Sequence, residues 1–523
     1  MSYFHRNSLL NFNIVNFFII FLFSFLINIY YAKFGVFPID TFLHYDSGYR
    51  ILENEYPIKD YWIVSSFVVD FIQAVFFKIF GVNWYAYVMH SSLFNALISI
   101  CTYSFFLYLR INRLKSLILT ICFSILAYTV SGTPFVDHHA TFFSLIATYI
   151  LIRNLSLNNK FLWFLIVFLF FLAFLSKQVP TAYIIIFQSV VVSLFLYKKK
   201  NFEAIKFISL SFFICSILLF LVFIYLKIDY KDFYLQYIDF PSSIGSSRVE
   251  TFNLSIESLF NKYKFLIIPL FLITYLKIQK IKKKRIDFFS SEIFNFLIIL
   301  TFCVGCLIHQ SITKNQIFIY FLISILIAFI EVEIDFSKAR YKKIFSFLGI
   351  IFLIIITFKY HLRYNENRKF HELHNVDLKD SVTAKEIDNS LNGLLWINPF
   401  FKGKPNEEIL LINKGKKQLD KINDEIMLIS HYSFLDSITK KSLNYPNKSF
   451  TFDGVSIPII EGKFFDQYKN FLLDKIKNKN IKKIFFFKHE NISKKIFTIY
   501  LDQDCYHLTE SDIFYVYTIQ CLK

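Results

Sequence analysis

Apolar runs long enough to cross a bilayer recur through the first two-thirds of the chain, and no other feature restricts its fold as much. A transmembrane helix needs about 20 predominantly apolar residues. Such runs lie near 14–31, 84–109, 115–132, 138–152, 161–176, 180–197, 205–226, 264–277, 289–308, 316–330 and 344–358. A soluble chain of 523 residues would divide into several domains with polar surfaces. This one is 55% hydrophobic and 20% aromatic. The predicted fold is therefore an α-helical polytopic membrane protein with about eleven transmembrane helices.

The formal net charge of +18 does not point to nucleic acid, because much of the excess is clustered in short loops beside apolar runs and no stacking or groove-reading motif accompanies it. Arg110, Arg113 and Lys115, Arg153 and Lys160, residues 198–200 with Lys206, residues 277–285 and residues 338–343 form one set of connections. The alternate set, 133–137, 176–178, 228–261 and 309–315, is less basic for its length. Positive charge collects on the cytoplasmic side, so the N-terminus is expected in the cytoplasm. With an odd number of spans, the first loop and the C-terminal region are expected outside. Arg6 precedes the first run and no small-residue cleavage site follows it, which favours a retained signal anchor over a removed signal peptide.

The first outer stretch, residues 40–62, packs Asp40, His44, Asp46, Arg50, Glu53, Glu55, Lys59 and Asp60 among aromatic residues. A charge in hydrocarbon costs about 2.5–3.5 kcal/mol on insertion scales, so this cluster belongs to an interfacial loop or to a polar cavity. Residues 64–80, apolar but interrupted by Asp70, Gln73 and Lys78, read as an interfacial or re-entrant helix. The transmembrane part is assigned to residues 1–359, with its first outer loop at 35–83.

From about residue 360 the chain turns polar. The short apolar runs at 408–413, 425–430, 483–488 and 497–501 predict a small α/β domain over 360–523. Cys101, Cys122, Cys215, Cys303 and Cys306 fall in or beside apolar runs and read as small hydrophobes. Cys505 and Cys521 can form a disulfide if that region is extracytoplasmic.

On this topology one face gathers Asp46, Asp60, Asp137, His138, His139, Lys177, Gln178, His309, Gln310, Thr313 and Lys314. A carboxylate can take the proton of an attacking hydroxyl, and a lysine can neutralise a departing phosphate in a site of low dielectric. Structural readings stand beside these. Asp137 suits a helix N-terminus, Lys177 an interface-snorkelling role, 309–314 a plain turn, and Asp40 and Asp60 the caps of short helices.

Several motifs resemble those of bacterial GT-C glycosyltransferases, in particular the protein O-mannosyltransferase and lipid A aminoarabinose transferase type. They are H-Y-D-S-G-Y at 44–49, its continuation through Tyr56, Pro57, Asp60, Tyr61 and Trp62, F-G-V-N-W at 80–84, Asp137 opening a span, S-K-Q at 176–178 and H-Q-x-x-T-K-N at 309–315. The resemblance covers about residues 10–360. It implies a bacterial inner-membrane enzyme that takes a sugar from a polyprenyl-phosphate donor, with inversion, and passes it to a cell-envelope glycan or lipid such as lipopolysaccharide. The C-terminal domain is then periplasmic and membrane lipids are its surroundings.

In that family the first-loop acidic residue is often an Asp-Glu pair; here it matches Asp46, followed by Ser47, so Asp60 or Asp137 is left as the second carboxylate. The resemblance makes Asp46 the base or the group that orients the acceptor, with Asp137 as its catalytic partner. Lys177, Lys314 and Arg50 would hold the lipid phosphate, and His138 would position the acceptor with Asp137. His44, Tyr49, Asp60, Gln178 and His309 complete the expected substrate-binding set. Metal dependence is left open, with Asp46, Asp137 and His138 as the ligands if a divalent ion is used. No W-W-D motif is present, against an oligosaccharyltransferase. A polysaccharide polymerase or ligase would more typically carry its large outer loop between spans. A secondary transporter would show inverted repeats and midplane charges.

Overall fold

A computed structural model describes residues 2–35, 38–127, 132–250, 255–284, 286–287, 289–313, 319–334, 339–368, 373, 375–450, 454–458, 460, 462–490, 499–501 and 503–520, with 2–13, 38–39, 256, 339–342 and 503 described by backbone alone. Its helices, in chain order, are α1 Ser2–Tyr31, α2 Pro38–Leu52, α3 Phe67–Phe80, α4 Trp84–Tyr108, α5 Arg113–Ala127, α6 Val136–Leu157, α7 Lys160–Ser176, α8 Gln178–Lys198, α9 Phe202–Leu226, α10 Tyr230–Tyr234, α11 Phe240–Glu250, α12 Ile256–Lys282, α13 Ser291–Thr313, α14 Leu322–Glu333, α15 Ala339–Tyr360, α16 Pro405–Leu419 and α17 Phe465–Asn478.

A helix stands at each of the eleven positions expected of a span, but among the described residues eight are long and apolar enough to cross a membrane. The shortfall is in α5, α7 and α14, which run 15, 17 and 12 residues. At 1.5 Å per residue even the longest of these falls short of a hydrocarbon core of about 30 Å.

The chain divides into two compact units. The first comprises Met1–Ala32, Val88–Phe220 and Thr251–Phe370. Local signals set its helix ends. Asn158 closes α6 in the left-handed conformation, and Asn159 caps α7 by accepting from the backbone N–H groups of Phe161 and Leu162. The break between α7 and α8 falls at Lys177 and Val179, both extended. The residue before a proline is driven out of the helical region, which accounts for Val179.

Interhelical hydrogen bonds from buried polar groups supply directional contacts that lipid-facing packing lacks. Asn28 donates to Ser91 and Ser92 at 3.0 Å and to the Gly132 carbonyl at 2.9 Å. Gly132 has φ +69, and a Cβ there would meet the Ala32 backbone nitrogen at 2.6 Å. At the opposite helix ends Lys277 pairs with Glu333 at 2.6 Å and Asn201 donates to Asn158 at 2.8 Å.

The second unit comprises Lys33–Tyr87, Leu221–Glu250 and His371–Lys523. Its four-stranded sheet has the order β3-β4-β6-β5, where β3 is Ile426–Ile429, β4 Lys483–Phe487, β5 Tyr506–Glu510 and β6 Phe514–Ile519; a two-stranded sheet pairs β1 Val382–Thr383 with β2 Leu395–Trp396. β3 runs parallel to β4, and the β4–β6 and β6–β5 pairs are antiparallel. Successive strand residues point to opposite faces. Accordingly Ile484 and Phe486 join Tyr468, Leu472 and Ile476 of α17 in one core, while Phe487 meets α16, where a Cβ on Gly415 would approach its ring to 2.5 Å.

The expected α/β character is therefore present, with corrections. The run at 408–413 belongs to helix α16, opened by Pro405 and buried at Glu408, Ile409 and Ile412, a helical spacing. β5 and β6 replace the strand expected at 497–501, whose residues 497–498 lie outside the described residues while 499–501 are turn and bend. Cys505 is disulfide-bonded; Cys521, its expected partner, lies outside the described residues. The other five cysteines are free.

Residues 40–62 also differ from an open loop. Half of the ionisable residues, Asp40, His44, Asp46 and Arg50, fall on α2, and the stretch that follows is fastened within the unit. The Trp62 backbone donates to the Pro446 carbonyl and accepts from Lys448, both at 2.9 Å. Gln236, in a π-helical turn, accepts from the Ile63 backbone at 3.1 Å and donates to the Ile58 carbonyl at 2.9 Å.

Candidate active site

In the first unit three helix termini converge: the start of α6, the α7–α8 break and the end of α13. Each contributes one ionisable side chain to the meeting point. The Lys177 ammonium donates to both carboxylate oxygens of Asp137 at 2.8 Å. His309 Nε2 lies 2.7 Å from Asp137 Oδ1, and since a carboxylate only accepts, the imidazole donates through Nε2. Asp137 is in the first turn of α6 and makes no capping bond; Phe135 is the N-cap residue. The capping role is thus replaced by an ion pair. Lys177 does not snorkel away from the protein, and His309 lies inside α13 and not in a turn.

His138 and Gln310 are fully buried next to these residues in sequence. His139 Nδ1 is 2.9 Å from the Phe135 carbonyl and its Nε2 is 3.0 Å from His90 Nε2. Gln178 is the first residue of α8 and half-buried. Lys314 lies outside the described residues. The Lys177 side chain keeps 19% of its surface exposed against 7% for Asp137, so the pair is reachable from its lysine side.

The second unit holds the remaining candidates, in two linked clusters. In one, His44 Nδ1 is 2.7 Å from Asp70 Oδ1, and Asp70 also pairs with Lys448, whose ammonium contacts Ser66 Oγ. All four are buried. Burial, then the nearby Lys448 charge, brings the His44 imidazole down to about 4 despite Asp70, so this ring is neutral at physiological pH.

In the other cluster Arg50 donates to Glu55 at 3.0 Å and to the Tyr445 carbonyl at 2.9 Å, and lies 3.9 Å over the Tyr61 ring. Asp46, one helical turn before Arg50, is 3.8 Å from it, fully buried, and neither of its oxygens accepts a hydrogen bond. Burial drives its carboxyl well above the usual range against the pull of Arg50, with Asp436 adding to the rise. Burial likewise pushes Asp436 up to about 6. Glu55 goes the other way: burial raises it, but Arg50, Lys475 and Lys479 outweigh that and hold it at about 2.

Asp46 is therefore an enclosed helical residue, not a loop residue open to a substrate. Tyr49 is half-buried on the same helix. Asp60 accepts from the Tyr56 backbone at 2.8 Å and closes a turn, not a helix end.

Among the described residues no three His, Cys, Asp or Glu side chains converge on one point. Of the three expected ligands, Asp137 has both oxygens on Lys177 and Asp46 faces Arg50.

Sequence reasoning missed Lys448, Glu55 as an Arg50 partner, Asp436 and Lys475. Asp70 carried a signal, as a carboxylate interrupting an apolar run. Lys448 lies in a polar stretch where one more lysine is unremarked. No protein-family model and no curated protein matches the chain.

Proposed function

We propose that the protein is a membrane glycosyltransferase that moves a sugar from a polyprenyl-phosphate carrier to a cell-envelope glycan or lipid on the periplasmic face of the inner membrane. The observation that supports this reading best is the meeting of Asp137, Lys177 and His309 at one end of the first unit, from positions 40 and 172 residues apart. The opposite helix ends carry Lys115, Lys198 and Lys277, and on the positive-inside rule they are the cytoplasmic ends. The GT-C resemblance supplies the reaction type.

In this reading the acceptor hydroxyl attacks the anomeric carbon and its oxygen forms the new glycosidic bond. The bond from that carbon to the phosphate oxygen breaks, and the polyprenyl phosphate leaves with the electron pair. Asp137 takes the hydroxyl proton, a role worth about 10²–10⁴ in rate. Lys177, exposed on one side, turns from Asp137 to the leaving phosphate, and an anionic leaving group needs no general acid. His309 keeps one carboxylate oxygen oriented when Lys177 departs. Asp137 takes the base role in place of Asp46, because Asp46 is fully enclosed, bears the raised affinity for a proton that burial gives it, and accepts no hydrogen bond.

The test of the class is transfer of labelled sugar by purified protein in vesicles. The expected outcome is product from a polyprenyl-phosphate sugar and none from the matching nucleotide sugar. Solute uptake without any lipid-linked donor would instead establish a transporter.

A further inference from the structure

We infer that the carboxyl ends of β3 and β4, in the second unit, form a binding site for a protonated amine, built around Glu490. The two strands run parallel, and α16 and α17 pack on opposite faces of their sheet. Ligands of open α/β sheets bind in the crevice beyond the carboxyl ends of such strands. Ser430, His431 and Tyr432 follow β3 there, His489 and Glu490 follow β4, and Glu408 comes from the first turn of α16. Glu490 accepts from Ser430 Oγ at 3.0 Å and from the His431 backbone at 2.9 Å, both through Oε1. Its Oε2 is buried and meets no hydrogen-bond donor among the described residues.

Three observations identify the class of ligand. The first is charge. Glu408 accepts from Trp396, Asn398 and Tyr432 at 2.8, 2.6 and 2.7 Å, all neutral donors, as are those of Glu490. Burial pushes Glu490 up to about 8 against its two hydrogen bonds, and Glu408 adds to the rise. A positive charge is therefore stabilised where a proton now sits. The second is the wall of the site. His489 stands among Phe401, Phe487 and Tyr432, with ring centroids 5.5, 5.1 and 5.7 Å away, and aromatic faces attract ammonium groups. The Tyr432 hydroxyl gives its hydrogen to Glu408, so His489 donates to it through Nε2 at 3.1 Å and keeps Nδ1 as an acceptor. Burial brings this imidazole down to about 4, which leaves it neutral beside a cation. The third is the single open oxygen, Oε2, which suits an N–H donor carrying its own charge. Glu490 keeps 8% of its surface exposed, and His431 and His489 are half-buried, so the site is reachable.

The inference does not rest on the sugar-transfer reading. On binding, the ammonium pairs with the Glu490 carboxylate and the carboxyl proton passes to solvent. It is tested on the full-length protein by calorimetry with propylamine and with propan-1-ol, which is of the same size and neutral, in two buffers of different ionisation heat at pH 7. Propylamine is expected to bind about tenfold or more tighter than propan-1-ol and to release about one proton. Glu490→Gln, which keeps an oxygen for Ser430 and His431, is expected to lower the amine to the affinity of the alcohol and to abolish the release, while melting as the wild type does. Equal affinity of wild type for the two ligands would overturn the proposal, and that comparison needs no variant to fold. Tighter binding of propan-1-ol, which would mark a hydroxyl site, would overturn it too, as would amine binding with proton release retained by Glu490→Gln.

Discussion

Asp137 and Asp70 show at the level of single residues how a buried carboxylate is partnered in an apolar chain. Each is met by one lysine and one histidine. The two sites differ in access, since Lys177 is partly exposed and Lys448 is not. Removing one partner of a buried pair costs about 3–5 kcal/mol, because the other charge is left uncompensated. Lys448→Met is therefore expected to lower the melting temperature strongly, and adding Asp70→Asn should recover much of the loss. Thermal denaturation of the single and double variants checks this.

Lys177→Met, by contrast, should preserve the fold, with His309 still donating to Asp137, and lose transfer activity. An unchanged turnover with intact donor would remove Lys177 from the phosphate role.

Asp137 and Lys177 were legible in the sequence because charged residues stand out beside apolar runs. The Asp70–Lys448 pair was not, because its members are 378 residues apart and neither sequence neighbourhood announces the other. The burial of Asp46 was equally hidden: H-Y-D-S-G-Y has the composition of a loop, whereas α2 packs against α3 and against 433–437 in the folded unit.

At the level of elements, α2 and its partners form a pH-sensitive packing. Asp436 has its proton affinity raised in the folded state to about 6 from an ordinary value of 3.8. The folded protein then binds more protons than the unfolded chain between those values, so this group's contribution to stability falls as pH rises from about 4 to about 6 and is level above. Asp46 shifts in the same direction. Glu55, held down at about 2, adds stability that is present above about 4.5 and lost only as pH falls through 2, below the window of Asp436.

Asp436→Asn keeps an acceptor for the Leu443 backbone N–H, now at 2.6 Å. It is expected to raise the melting temperature more at pH 7.5 than at pH 4, which a pair of melts at the two pH values resolves. An equal effect at both would contradict the burial argument.

Helix α16 and strand β3 show why element type was partly illegible. Both are short apolar runs, and periodicity alone does not separate a buried strand from a helix segment. Pro405, which opens α16, and the buried Gly415 and Leu419, which continue its helical spacing, lie outside 408–413, and a reading confined to that run does not reach them.

For the whole chain, mostly helical architecture and a small C-terminal sheet followed from hydropathy and from the change in composition near residue 360. The number of spans did not follow so directly. α5, α7 and α14 are apolar but short among the described residues, and α7 is bounded by the Asn159 cap and by the break before Pro180.

The account of activity depends on Asp137 being the group that takes the acceptor's proton. The most direct measurement is single-turnover transfer from a labelled polyprenyl-phosphate sugar by Asp137→Asn and Asp46→Asn proteins, each first shown to melt as the wild type does. The expected result is a rate lower by about 10²–10⁴ for Asp137→Asn, with donor binding retained, and a rate within a few-fold of wild type for Asp46→Asn. Near-normal transfer by Asp137→Asn together with loss in Asp46→Asn would contradict it and return the chemistry to the second unit.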